Sequence, residues 1–573
     1  MAKSMIAAAF CVGFCLLSSA MAQGGAAGTP ASGPGGAPTS APAGGARALP
    51  AVKIEGGYDN AQIAGIRVEE ASAESPRVVI GGTIAVEGVP EKTRDHNRFI
   101  HWNFRLSGCK GRTVRFELYL DKANSWTMRT VVPVVRYADG TVELIRGIEV
   151  KSYGPAEGRN MEKVAGFFSH RFRSEPAQVS YCLPFTNETA GELAAELKAN
   201  KTAAVIGLGK TPLFNLPVWQ FVVTDPNVPD KDKKGVWLYS CEDPWEFPGT
   251  YALAGFVRFA AGDDPLAAEF RKRFVLSAIP LVNPDAVHRG DTNFYLDPGG
   301  RNIINTGLSW KRTDIAPHEL IKAAMRKWKA DGRSLDLMTS MHSSCFWSAV
   351  LRIDWAHDSN VARRFIDEVY AKKYIPWAAG KGMASAPDMS GTLGASLGAE
   401  LWPDRLLYFG QHLEEIVMPR AELLGTAKVR LPEELQQDIL PCQPPEDLLA
   451  QGELFARAVC EFYGVKVPAE KVPPFLMCGL VDRYWAAGGT PLAYTVLYRD
   501  TEGRAAKFVR LQIGGKTIEM KAAAGADPVK GVLYTATEKL VEGDNGYSFT
   551  ASNGAMEIRY PKKGAFPGAY AVK

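Results

Sequence analysis

The sequence predicts a mixed-sheet α/β domain flanked by two β-sandwiches, and three observations lead there. Strand-like and helix-like runs alternate between about residues 189 and 467, the pattern of an α/β domain. Short β-branched and aromatic segments bounded by turn residues fill residues 50–188, and the same pattern returns over 488–573. The chain of 573 residues also has room for three to four domains at ~150 residues each. Hydrophobic content of 46% and charged content of 22% exclude a mostly disordered chain, a fibrous rod and a multi-span membrane protein. The 66 basic and 62 acidic residues balance too closely for a broad basic face, so no nucleic-acid partner is expected.

Residues 1–22 read as a secretory signal. Lys3 supplies the positive start, Ile6 to Leu17 the apolar run, and Ala20-Met-Ala22 a small-x-small cleavage site. An uncleaved anchor is the alternative, though the run is short for a span. Residues 23–49 are almost entirely Gly, Ala, Pro, Ser and Thr, the composition of a tether. A bacterial exported protein (periplasmic, surface-bound or secreted) is expected, with envelope association and oligomeric state left open. Cys11 and Cys15 leave with the signal; the remaining seven cysteines show no close pairing, so neither a disulfide scaffold nor a zinc-finger spacing is present.

In the first sandwich, Thr113 to Leu120 and Thr130 to Arg136 are strands, with a turn at Ala138-Asp-Gly140. The α/β domain follows in order. Val236 to Ser240 is a buried strand, Tyr251 to Ala260 a helix, Phe274 to Val282 a strand, and Pro317 to Lys329 an amphipathic helix. Leu335 to Met341 is a strand, Ala362 to Tyr370 a helix, and Leu393 to Leu401 a Gly-punctuated strand. A linker is expected over 468–487. Ala493 to Tyr498, Phe508 to Ile513 and Gly546 to Ala551 then form a small Ig-like sandwich. Ile206-Gly-Leu-Gly-Lys-Thr211 imitates a phosphate-binding loop, but Ala204 stands where that motif needs its first glycine, so a strand-to-turn role is expected.

Chemistry-bearing residues gather at the predicted strand ends. Asp243 and Glu246 follow one strand, spaced three apart across Pro244-Trp245, so one tight turn aims both at a single point. His342 ends a second strand and Glu400 a third. Three ligands with a further carboxylate make a catalytic zinc site with an open position.

These segments resemble the zinc carboxypeptidase superfamily, in its cytosolic-carboxypeptidase-like branch. Asp243-Pro-Trp-Glu246 falls where the family has His-Pro-Gly-Glu, and Ile279-Pro-Leu-Val-Asn-Pro-Asp285 with Arg289-Gly290 is similar to its Asn-Pro-Asp block. Met341-His342 matches its strand-end His, and Ser396-Leu-Gly-Ala-Glu-Leu401 resembles the strand carrying its catalytic Glu. His101-Trp-Asn-Phe-Arg105 and Tyr181-Cys-Leu-Pro-Phe-Thr186 are similar to the preceding β-domain. The resemblance implies Zn²⁺ on Asp243, Glu246 and His342, with Glu400 as general base and then acid. It implies substrate contacts from Arg289, Asn293, Arg301 and Asn305, and a peptide or related amide as substrate.

The departures from the family define a rival expectation. Asp243 replaces a His, Asn293 stands at an arginine position, and Asn302-Ile-Ile-Asn305 replaces Asp-Leu-Asn-Arg. Asparagine cannot reproduce the bidentate grip of arginine on a carboxylate. The alternative is a catalytically lost, peptidase-like protein that binds peptide or glycan at the cell surface. Cys241 and Cys345 flank two of the proposed ligands, as buried thiols, auxiliary ligands or a bridged pair.

Overall fold

A computed structural model describes most of residues 50–572; residues 1–49 and several internal segments lie outside the described residues, 82–101, 124–132, 343–349, 376–391 and 420–438 being the longest. The predicted signal and tether therefore fall outside it. Residues 49–573 form one compact unit.

The centre is a seven-stranded sheet. Its strands are β1 (Ala203–Lys210), β2 (Pro217–Val223), β3 (Lys234–Ser240), β4 (Phe274–Ile279), β5 (Leu337–His342), β6 (Val350–Ala356) and β7 (Leu407–His412). They lie in the order β1-β2-β4-β3-β5-β7-β6. The four middle strands run parallel, while β1, β2 and β6 add on antiparallel. Both faces are covered, which is why β3 reads as an unbroken apolar run. Val236 and Leu238 face one core with the helix Phe247–Ala261 (α1) and the helix Glu446–Phe462 (α2). Trp237 and Tyr239 face the other, with Ile321, Met325 and Trp328 of the amphipathic helix Ala316–Ala330.

Before this domain stand two five-stranded sheets, one including Asn103–Ser107 and Ala177–Ser180, the other Thr113–Ala123 and Glu162–Arg171. They meet through aromatic side chains: Phe104 lies 6.4 Å from Phe116, and Trp102 stacks 6.0 Å from Phe168. After it come two four-stranded sheets with a shared core containing Tyr494, Tyr547 and Phe549. This last part is tied down on both sides. The buried Arg499 donates to the carbonyls of Tyr374, Lys373 and Val529, and Tyr570 donates to the carbonyl of Arg171 at 2.6 Å.

Two sequence expectations fail. The predicted strand Leu393–Leu401 is helical: a π-helical turn at Gly394–Gly398 leads into a short helix at Ala399–Leu401. Leu393 and Leu397, both buried, repeat at helical spacing, and Gly394 and Gly398 let the segment lie against Tyr408 and Leu406, where a Cβ would come within 2.3 and 2.9 Å. The expected linker 468–487 contains a strand, Phe475–Val481, buried throughout and paired antiparallel with Pro491–Arg499. Burial on both faces removed the alternation that would have marked it.

Candidate metal centre

The site forms at the carboxyl edge of the parallel strands, where loops converge. β3 ends at Ser240, and Cys241 takes a left-handed backbone with φ of 57°, rare for a residue with a side chain. That reversal carries Glu242 and Asp243 back over the sheet. The predicted tight turn follows: the Glu246 amide donates to the Asp243 carbonyl at 3.0 Å, with Pro244 at the position whose fixed φ suits such a turn. Glu246 then stands at the N-terminus of α1, where its side chain makes no capping bond. Its carboxylate is turned to the site instead, close to the positive end of a helix.

Met341 of β5 pairs with Ser240 of β3, so His342 arrives beside this turn. Gly249 permits the approach: a Cβ there would lie 2.5 Å from the Met341 carbonyl oxygen and 3.0 Å from the His342 carbonyl carbon. His342 Nδ1 is 2.7 Å from Glu246 Oε2. Single ligand atoms of Asp243, Glu246 and His342 all lie within 4.8 Å of one another. Two atoms bound at ~2.1 Å on a tetrahedral ion lie ~3.4 Å apart, so shifts of up to about an ångström close the group on a cation. Two carboxylates and an imidazole suit a divalent ion chemically.

Sequence reasoning missed Glu242. It is buried, accepts a hydrogen bond from Trp310 Nε1 at 2.5 Å and another from Ser340 Oγ at 2.5 Å, and lies 3.1 Å from His342 Nε2. Burial acts to lower the pKa of the His342 imidazole, but the carboxylates of Glu246 and Glu242 outweigh it and raise the ring well above its ordinary value. The missed signal was one of adjacency: Glu242 directly precedes Asp243 in a segment that turns sharply.

Glu400 does not join this group. It is exposed on the Ala399–Leu401 helix, and the next residue but one, Trp402, donates its indole N–H to the Arg333 carbonyl ahead of β5. The chain then enters β7 at Leu407, the partner of Leu337. Glu400 therefore sits at the amino edge of the sheet, a strand's length of ~16 Å from the edge where His342 lies. The residue beside His342 in register is His412, at the end of β7. The following Leu413-Glu414-Glu415 lie outside the described residues.

The Asn-Pro-Asp block forms the helix Pro284–Arg289, with Asn283 accepting from the Ala286 amide and Gly290 closing it at φ 68°. Asp285 accepts from Thr211 Oγ1 at 2.5 Å and from the amides of Leu213 and Phe214. The imitation phosphate loop is thus the end of β1, and its threonine anchors this block. Burial lowers the pKa of Arg289, with Asp285 acting the other way. Asn293 and Arg301 lie outside the described residues, and Asn305 pairs with Phe294 in a two-stranded ribbon. Cys241 is buried, and burial raises its thiol pKa well above the usual range; Cys345 lies outside the described residues.

No family model matches the chain. In sequence it is similar to a cytosolic carboxypeptidase-like protein 5 of Ailuropoda melanoleuca, 34% identical over 93 residues, which is 16% of this chain and 10% of the relative. It is also similar to cytosolic carboxypeptidase 6 of Caenorhabditis elegans, 27% identical over 136 residues, covering 22% of this chain and 28% of the relative. The matched stretches thus span less than a third of the length of those relatives. In structure, a metallo-carboxypeptidase from Burkholderia cenocepacia superposes with a TM-score of 0.52 at 16% identity, covering 72% of this chain and 99% of that one. The structural likeness shows that the fold is similar to that of a metallo-carboxypeptidase.

Proposed function

We propose that this chain is an exported, zinc-dependent metallocarboxypeptidase-like hydrolase acting on a peptide or related amide. The observation that carries the reading is the convergence of Asp243, Glu246 and His342 within 4.8 Å at the carboxyl edge of a sheet with this fold. These three residues would hold Zn²⁺, which when bound acidifies a water and polarises a carbonyl. Asp243 in place of a neutral imidazole adds negative charge, which moderates that acidification. The two sheets before the domain are read as the β-domain of the cytosolic-carboxypeptidase-like branch, and those after it as an Ig-like accessory module. Arg289 is the candidate for anion contact, with Asn293, Arg301 and Asn305 following it along the chain.

Glu400 is carried by a short helix that precedes β7, so the reading looks for the proton-transfer group elsewhere. Glu414 and Glu415, which follow His412 in the sequence outside the described residues, are the carboxylates to substitute first.

The rival reading, a peptidase-shaped surface protein that binds peptide or glycan without cleaving it, is favoured by asparagines at the family's arginine positions. One experiment separates the two. Purified protein is analysed for zinc after dialysis and incubated with a peptide library, alongside His342→Ala. Retained zinc that disappears in the variant, with release of C-terminal residues, supports the hydrolase. Absence of both metal and release rejects it in favour of the binding protein.

A further inference from the structure

We infer that Glu242 is the positioning residue that fixes the His342 ring with its proton on Nε2 and its Nδ1 turned to the metal. The inference rests on the metal-site reading above and adds to it a residue outside the three ligands.

Ser340 and His342 are two apart on β5, so their side chains share one face of the strand. Glu242, delivered by the left-handed Cys241, meets both. Its carboxylate is itself held in place, because one oxygen accepts from the Trp310 indole at 2.5 Å while the other accepts from Ser340 Oγ at 2.5 Å. The Trp310 ring in turn stacks on His318 at 3.8 Å and 9°, which fixes its orientation. His342 Nε2 thus faces a carboxylate oxygen at 3.1 Å and the Ser340 oxygen at 2.6 Å. The Ser340 proton is already given to Glu242, and a carboxylate only accepts. Both neighbours of Nε2 are therefore acceptors, and Nε2 must carry hydrogen. In the neutral ring that a metal requires, this leaves the lone pair on Nδ1, the nitrogen that lies 2.7 Å from Glu246.

A carboxylate on the far nitrogen also makes the imidazole a stronger donor, and losing such a partner weakens metal affinity by about 10- to 100-fold. The arrangement explains why a glutamate fully removed from solvent stands next to two other acids. Without the histidine proton as partner, a third carboxylate here would only add repulsion.

The test uses the full chain with ¹⁵N-labelled histidine. Zinc affinity is measured by competition with a chromophoric chelator, and the His342 ring nitrogens are followed by NMR with and without zinc. In Glu242→Gln, zinc binding is expected to weaken about 10- to 100-fold, and the Nε2–H signal of the zinc-bound ring to shift and to exchange faster with water as its carboxylate acceptor is lost. Ser340→Ala, a milder change, is expected to weaken binding a few-fold in the same direction, and it decides the matter should Glu242→Gln fail to fold. Unchanged affinity together with unchanged ring signals in the folded variants overturns the role of Glu242 while leaving the metal site standing. A wild-type chain that takes up no zinc, like His342→Ala, overturns the metal reading and this inference together.

Discussion

Replacing Gly249 by alanine tests whether the geometry of the site depends on the contact between α1 and the end of β5. The new Cβ would lie 2.5 Å from the Met341 carbonyl oxygen, 2.8 Å from its carbon and 3.0 Å from the His342 carbonyl carbon. All three are backbone atoms, so no side chain can swing aside. Restoring ordinary contact at ~3.4 Å requires the helix and strand to part by ~0.9 Å, with an overpacking cost of ~1–3 kcal/mol. Glu246 precedes α1 directly and His342 closes β5, so the separation acts on the pair that now meets at 2.7 Å. Metal–ligand distances tolerate only about ±0.2 Å. Zinc affinity should fall by at least about tenfold, which is ~1.4 kcal/mol, and thermal unfolding should shift down by a few degrees. Gly191→Ala is the control, since a Cβ there meets nothing within 4 Å inside a helix; it should be neutral or stabilise by up to ~1 kcal/mol. Zinc binding within twofold of wild type in Gly249→Ala would refute the reasoning.

Four further outcomes follow from the same structure. Gly452→Ala places a Cβ 1.8 Å from the Ala252 carbonyl oxygen, between α2 and α1, and should cost ~3 kcal/mol or more, read as a lower unfolding midpoint in urea. His318 is fully buried, and burial, with Lys322 adding to it, lowers its pKa from 6.5 to about 3. A histidine depressed in the fold favours the native state above pH ~6.5, and that stability is lost as pH falls towards 3, up to ~5 kcal/mol at the acid limit. His318→Phe, which keeps a ring against Trp310, should flatten this acid limb in pH-dependent unfolding. Arg499→Met strands the carbonyls of Tyr374, Lys373 and Val529 and should destabilise by ~3–5 kcal/mol, with limited proteolysis releasing the C-terminal sheets more readily. Glu400→Gln should leave zinc affinity and any peptide hydrolysis within twofold of wild type, since its side chain is exposed at the far edge of the sheet; a hundredfold rate loss would return Glu400 to the active site.

Much of the fold was legible because the signals were local. β3, β4 and β5 stand out as apolar runs between turn residues, and Ala316–Ala330 repeats its buried residues at helical spacing. The errors came where tertiary contact, not local pattern, decided the outcome. Gly394 and Gly398 read as strand punctuation, whereas their four-residue spacing serves a helix pressed on Tyr408 and Leu406. Phe475–Val481 is buried on both faces, and its register shifts between Met477 and Leu480, at the left-handed Cys478, so it gives no period-two signal.

The site divides along the same line. Asp243 and Glu246 could be paired from sequence because one turn holds both, and that turn closes on its own backbone bond at 3.0 Å. His342 is 96 residues further from Glu246, and only the pairing of parallel strands brings it in. A motif can say that a residue ends a strand or a helix; it cannot say at which edge of the sheet that end lies. For Glu400 the edge is what matters, because a helix entering a parallel strand arrives at the amino edge while chemistry collects at the carboxyl edge. Glu242 shows the converse. No motif marks it, yet it follows the reversal at Cys241 and lies 3.1 Å from the histidine, while its neighbour Asp243 lies with Glu246 and His342. Adjacent residues in a sharp turn thus face different partners, Glu242 meeting Ser340 and Trp310 while Asp243 joins Glu246 and His342, and sequence spacing does not distinguish them.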